Sequence, residues 1–468
     1  MSDVRSAQPA LNPLRVRLVL AALLLAVWLP ARNACFFWDD EQLVVDNDLL
    51  AHGDVLGILS GGLFAAHGDA AVTYHRPLTL LSLCVDRALF GLSPAGYHID
   101  NVLLHLAVVV CLHALVSRRA KPAVAAAVAI CAGLHPALSE AVLWVSARGD
   151  LLATLVILGG LIAMDSDSRR TPVALFLLAW VAPLCKEIGY LLPVFALGWR
   201  TAQGGRVRRP EAVALALGCG LALLMRWLAH IGVPSPGDDP VYSAAEVAAR
   251  AAVFAAAWTT VPWPLTSSTS VHTLFTPAVA LGAVATLALV TLIAVRGGPP
   301  ARILLALGGL AWVPATFAMV RTGLYGERYL YLPMMFLLLA LAHAASDGRR
   351  ILAAVMALAL PAVVALGVRM ADWTSAVSLI EAAAARQPCG VALLHLAQQR
   401  ESEGRTDEAL TLYDRLLDEE RPVLAACASA VRLRREAGDP AGAAAAIPHL
   451  EALGCGTRAA FIAETRTR

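Results

Sequence analysis

Two adjacent carboxylates, Asp39 and Asp40, follow Phe36-Phe37-Trp38 in a chain that carries few acids. Beside a membrane such a pair acts as a general base toward a hydroxyl, or holds a divalent cation such as Mg or Mn through oxygen ligands. Helix capping ahead of Leu43 and Val44 is the structural alternative. A third acid, Glu140, lies between His135-Pro136 and Ser146-Ala147-Arg148-Gly149-Asp150. Four cations, Arg76, Arg148, Lys186 and Arg328, suit a phosphate or pyrophosphate, arginine through its fork and lysine as a point charge. Snorkelling to the membrane surface is the alternative for each of them. The expected catalytic set is Asp39, Asp40 and Glu140. The expected substrate-binding set is Arg76, His135, Arg148, Asp150, Lys186, Glu187, Glu327, Arg328 and Tyr331, and any metal would fall on Asp39 and Asp40. His135 also reads as a polar helix end, and Tyr325, Tyr329 and Tyr331 also read as an interfacial aromatic belt.

Hydrophobic helices must position these residues. The chain has 468 residues, 58% hydrophobic and 15% charged, with mean hydropathy +0.66. A globular domain carries about 25% charged residues, so a water-soluble enzyme is excluded, and a net charge of +2 gives no field to recruit nucleic acid. About 20 apolar residues cross a bilayer, fewer when neighbours shield the ends. Eleven spans are expected, at 14–31, 99–116, 122–137, 151–164, 172–184, 188–199, 211–231, 275–295, 302–320, 332–346 and 351–369. Arginine-rich connectors at Arg15/Arg17, Arg118/Arg119/Lys121, Arg169/Arg170, Arg206/Arg208/Arg209, Arg296/Arg302 and Arg349/Arg350 alternate with poorer loops. The positive-inside bias then makes the N-terminus cytoplasmic and brings all the candidate site residues to the outer face. Residues 246–262 would break that alternation as a span and are expected to re-enter or lie on the outer face. The first helix lacks a small-x-small cleavage site after Pro30 and reads as an uncleaved anchor.

Charge divides the chain into an expected membrane domain, 1–370, with a first outer loop at 32–98, and a water-soluble tail, 371–468. About a quarter of the residues from Asp372 onward are charged, against roughly one in eight before it. Within the tail Gly404 and Gly438 stand 34 residues apart, as do Pro388 and Pro422 and Ala409 and Ala443. That period with paired amphipathic helices is the tetratricopeptide pattern. One complete unit is expected over 391–422, a preceding half repeat over 372–388 and a degenerate unit over 424–453. Nine cysteines form no C-x-x-C pair; those at 389, 427 and 455 fall in the outer tail, where a disulfide is permitted but not demanded.

The ordered motifs Phe36 to Asp40, Arg76 to Leu78, Gly96 to His105, His135 to Leu152, Lys186 to Gly189 and Glu327 to Pro333, followed by 34-residue repeats, resemble the transmembrane and tetratricopeptide-repeat O-mannosyltransferases and their bacterial relatives. The resemblance implies an all-α polytopic GT-C type glycosyltransferase that takes sugar, mannose foremost, from a polyprenyl-phosphate carrier on the outer face of a cell inner membrane. It maps the family's first-loop acidic motif onto Asp39 and Asp40 and its second-loop acid onto Glu140. The implied partners are a lipid-linked sugar donor and a protein or glycan acceptor, docked by the tail. The relatives often carry longer repeat arrays, which leaves an envelope glycan or lipid as the alternative acceptor. A transporter or a repeat-presenting scaffold is the alternative of another class. A transporter would show internal inverted repeats, which are not seen, and a scaffold gives no reason for ionisable groups along the membrane loops.

Overall fold

The computed structural model describes residues 12–67, 74–166, 168–231, 244–262, 265, 269–270, 276–322, 324–386, 390–417 and 424–445. Among these the chain is helical apart from a two-residue antiparallel pairing of Thr269–Ser270 with Leu324–Tyr325.

Seven helices are long and apolar enough to cross a bilayer: Pro13–Asn33, Pro94–Ser117, Val145–Met164, Arg209–Leu228, Pro277–Arg296, Gly298–Val320 and Gly348–Asp372. Their outward faces leave Leu18, Leu23, Leu217, Leu287, Leu360 and Val364 uncovered by protein, as lipid-facing helices do. The chain is that of a multi-pass membrane protein. The other four expected spans fold as helices of fewer residues. Thr171–Cys185, Leu192–Ala202 and Tyr331–Ala344 have 15, 11 and 14 residues. The stretch 122–137 is a bent pair, Pro122–Leu134 and Pro136–Leu143, turned by 55°. The break has a local cause: His135 precedes a proline, which disfavours helical backbone, and adopts ψ 117. Counting the bent pair as one gives eight spans among the described residues. Residues 246–262 form Ala244–Thr260, 17 residues whose Val247, Phe254 and Trp258 are buried in the main core.

The first loop is not an open connector. Helices Asp48–His52, Val55–Ser60 and Pro77–Phe90 fold over a small core of Leu43, Val44, Leu50, Ile58, Leu80, Leu83, Tyr97 and Val145. Asn47 and Asp54 cap the first two through their side chains. This cap sits on one end of the helix bundle. In the tail, helices Ala376–Arg386, Gly390–Ser402, Thr406–Leu417 and Leu424–Glu436 pack around Ala397, Ala409, Tyr413, Leu416 and Val431. Gly404 and Gly438 take φ 74 and 78, so the same left-handed turn recurs at the spacing read from sequence. Cys389 and Cys455, and the last residues of the expected second unit, lie outside the described residues. The cysteines at 35, 84, 111, 131, 185 and 219 are free thiols.

Candidate active site

The acidic motif leaves the first span through a short 3-10 turn, Leu29–Asn33, and is clamped to the loop after Glu140. Asp40 is fully buried: one carboxylate oxygen accepts from the Phe37 N–H at 3.0 Å, the other from the Ser146 N–H at 2.7 Å and from the Ser146 hydroxyl. The Trp144 indole N–H donates to the Phe37 carbonyl at 3.1 Å. Asp40 thus ties two loops together, and although it occupies the N-cap position of Glu41–Val45 its side chain caps nothing there. Burial pushes its carboxyl up to about 7, against the Ser146 and Phe37 hydrogen bonds that pull it down.

Asp39 faces the other way, into a cavity of about 570 Å³ at this end of the bundle. Burial raises its carboxyl above the ordinary value, with Arg328 and Arg76 pulling it back. The same walls carry Arg76, Asp150, Lys186, Glu187, Arg226 and Arg328, together with Tyr74, Trp144, Ser146 and Tyr329. The charges are arranged in pairs. Arg76 forks onto Glu187 with contacts of 2.6 to 3.0 Å, and Lys186 reaches Asp150 at 2.6 Å. Arg328 bonds Glu140 through its guanidinium and, at 3.0 Å, through its backbone N–H. Its guanidinium also lies 4.5 Å from the ring centres of both Trp144 and Tyr329. Lys186 is pushed below the usual lysine value by burial, and Glu187, although partial desolvation works the other way, is held below the usual glutamate value by Arg76.

Local chemistry explains how these side chains arrive. Pro183 closes the helix Thr171–Cys185, and Lys186 continues in extended backbone at φ −161. A Cβ on Gly189 would lie 2.2 Å from the Ala182 carbonyl carbon, so the turn that presents Lys186 and Glu187 admits only glycine. Thr79 of the cap then bonds the Cys185 carbonyl at 2.8 Å and holds that turn under Arg76. The bend at His135-Pro136 brings Glu140 to Arg328.

The cavity is also lined by apolar residues. Leu223, Ala311, Pro314, Ala315, Phe317 and Leu332 line it, drawn mainly from the long helices Arg209–Leu228 and Gly298–Thr322, and Leu223 and Phe317 are exposed on the lipid-facing surface. Charged and apolar residues lining one cavity suit an amphiphile with an anionic end.

Four residues expected in the substrate-binding set are placed elsewhere. Arg148 is buried and fully committed: it meets Asp86 at 2.6 Å, the Asn101 side-chain oxygen at 2.7 Å and the Tyr97 carbonyl at 3.0 Å. It pins the cap to the bundle and does not line the cavity, so its assignment to a phosphate is corrected. Glu327 is buried against Arg369 at 2.9 Å. Tyr331 bonds His105 at 2.7 Å in the core. His135 meets the Thr259 carbonyl at 3.1 Å, the backbone-satisfied helix end that was its alternative reading. Low dielectric favours such pairing of buried polar groups among themselves.

Sequence reasoning also missed residues. Arg226 lies inside an apolar stretch and reaches the cavity from the helix Arg209–Leu228. An arginine within the apolar run after Glu211 is the signal that could have found it. Asp86 and Arg369 gave no signal, because each is recognisable only by its partner. Of the two acids expected at any metal, Asp40 has both oxygens filled by protein donors, and among the described residues no group of three or more His, Cys, Asp or Glu side chains is placed to hold an ion.

No family model matches the chain, and no solved structure matches it. Among curated proteins it is 32% identical over 187 residues to Protein O-mannosyl-transferase Tmtc1 of Drosophila melanogaster, a match covering 36% of this chain and 20% of that protein. It is 35% identical over 150 residues to Protein O-mannosyl-transferase TMTC2 of Mus musculus, covering 30% and 17%. With Protein O-mannosyl-transferase TMTC3 of Homo sapiens it shares 30% over 165 residues, covering 33% and 18%. The matched stretch therefore spans about a fifth of the length of these relatives. All are animal proteins, so they bear on the family and not on a bacterial origin. The chain is similar to the TMTC O-mannosyl-transferases over about a third of its own length.

Proposed function

We propose that the protein is a membrane glycosyltransferase that moves a sugar from a lipid phosphate to a hydroxyl acceptor in the charged cavity. The observation that carries this reading is the juxtaposition, in one cavity, of Asp39 with four cations and with apolar residues of two long helices, whose side of the cavity we read as an arm open to lipid. In this reading the sugar phosphate sits among Arg76, Lys186, Arg226 and Arg328, and the polyprenyl chain leaves between Leu223 and Phe317. Asp39 takes the proton from the acceptor hydroxyl as its oxygen bonds the sugar's anomeric carbon. The bond from that carbon to the phosphate oxygen breaks, and the electron pair departs on the lipid phosphate, whose charge the cations meet. Glu140 fixes Arg328 against the site, and Asp40 fixes the segment that bears Asp39. Two loops folded over the cavity limit hydrolysis by excluding water.

The finer assignments follow the resemblance: mannose as sugar, a GT-C architecture with about eleven crossings, an inner-membrane location, an outward-facing site and a tetratricopeptide-like tail that docks a protein acceptor. Any divalent cation would have to be recruited by Asp39 and the donor phosphate together. The test is a transfer assay on purified protein with a panel of polyprenyl-phosphate sugars, with peptide and glycan acceptors, with and without chelator. Transfer from polyprenyl-phosphate mannose that is abolished by Asp39→Asn supports the reading; absence of transfer from every donor to every acceptor overturns it.

A further inference from the structure

Among the described residues the helical tail touches the membrane body at several places, including Trp373, whose carbonyl accepts from the Cys35 N–H at 2.9 Å, and two of these contacts lead into walls of the charged cavity. The first contact is aromatic. Trp38, immediately before Asp39, has φ 52, a left-handed backbone that a bulky side chain adopts only when its surroundings compel it. Its ring is stacked on Phe37 at 4.9 Å and meets Trp144 at 6.0 Å, and it also meets His395 of the tail helix Gly390–Ser402 at 5.5 Å. The second contact is ionic. Arg386 of Ala376–Arg386 forks onto Asp372, one arm at 2.9 Å. Asp372 lies 3.9 Å from Arg369, and Arg369 bonds Glu327 at 2.9 Å. The next residue, Arg328, is the one that reaches Glu140 and lines the cavity. Arg369, Glu327 and Asp372 are all buried, so salt and water screen this chain of charges little.

The tail has an apolar core of its own, so these contacts are additional to what folds it. We propose that the tail is a working part of the site, with His395 and Arg386 as positioning residues that hold the Trp38–Asp40 segment and the Glu327–Arg328 turn in the geometry of the transfer. The inference rests on the cavity being the transfer site. A ligand seated on the tail would then be sensed directly by the loop that carries the base.

The experiment uses the full-length protein in lipid nanodiscs, with two readouts. The first is hydrogen exchange by mass spectrometry. His395→Ala is expected to speed exchange of amides in 36–46, and Arg386→Met of amides in 324–330, with the cap helices 48–60 unchanged. The second is steady-state transfer. Each variant is expected to lose about ten- to a hundredfold in kcat, as slight misplacement of a reacting group does, while donor KM stays within about twofold for the His395 variant, which leaves the cavity cations in place, and rises for the Arg386 variant, which loosens the turn bearing Arg328. His395→Phe, which keeps a ring against Trp38, restores most of the rate, and Arg386→Lys, which cannot fork, restores less. Unchanged exchange in variants that fold like the parent overturns the coupling. Raised exchange with parental kcat overturns the positioning role. The exchange arm needs no sugar donor, so failure of this inference and failure of the transfer reading are told apart.

Discussion

Asp39 and Asp40 are neighbours with opposite duties, and each duty makes a separate prediction. Asp39 has its carboxyl on the cavity wall, so Asp39→Asn is expected to lower transfer by about 10² to 10⁴, the usual contribution of a general base, with expression unchanged. Its carboxyl is raised above 3.8 by burial, and a base works only when ionised. The rate should therefore rise with pH along an acidic limb displaced above the ordinary carboxylate value, and Asp39→Asn should abolish that limb in a kcat/KM profile. Asp40 is consumed by protein donors. Asp40→Ala or Ser146→Ala leaves buried polar groups unpaired and should cost about 1–3 kcal/mol of stability, read as a lowered Tm in detergent. The pH sign for Asp40 follows from burial: between 3.8 and about 7 the folded state holds a proton the unfolded state has released, so its contribution falls as pH rises through that window. Asp40→Asn should remove that slope.

At the scale of elements, the cap over the bundle is fastened by Arg148, which joins Asp86 of Pro77–Phe90 to Asn101 and Tyr97 of Pro94–Ser117. Both charges are almost wholly buried, at 1% and 3% exposure, whereas the Arg76–Glu187 fork is 16% and 28% exposed. Removing one partner of a buried pair strands the other in low dielectric, so Asp86→Ala is expected to cost about 3–5 kcal/mol. Glu187→Ala should cost about 1 kcal/mol or less, because water reaches that pair. Thermal unfolding of both variants against the parent checks the contrast. The helix pattern itself was legible: all eleven apolar stretches read from sequence are helices. Their lengths were not legible, because apolar composition alone cannot say that Pro136 bends one segment or that Pro183 ends another.

In the proposed reading the whole molecule joins a charged head to an apolar arm. Leu223 from Arg209–Leu228 and Ala315 and Phe317 from Gly298–Thr322 meet there although they are far apart in the chain. Filling that arm with Ala315→Trp should raise the KM for a long-chain lipid donor about tenfold and leave a short-chain donor's KM nearly unchanged. Equal effects on both donors would show that the arm holds no lipid. Here too part of the site was readable and part was not. The motif residues Asp39, Glu140, Lys186 and Arg328 stood out because ionisable groups are scarce in an apolar chain. Arg148 and Glu327 stood out for the same reason and proved to be structural, since scarcity marks a costly residue without saying what offsets its cost.

The sequence by itself determined the class of molecule. Hydropathy far above that of a soluble enzyme, a polar tail and glycines at a fixed spacing follow from composition and period, which act locally along the chain. Only the tertiary structure decided which charges face the cavity. A buried cation is satisfied by whichever acid folding brings within about 3 Å, and Asp86, Asn101 and Arg369 come from segments whose pairing no local pattern encodes. The same holds for Asp39 and Asp40. One peptide unit apart, they point to opposite sides next to Trp38, whose left-handed backbone is held by contacts from two other parts of the fold, Trp144 and the tail's His395.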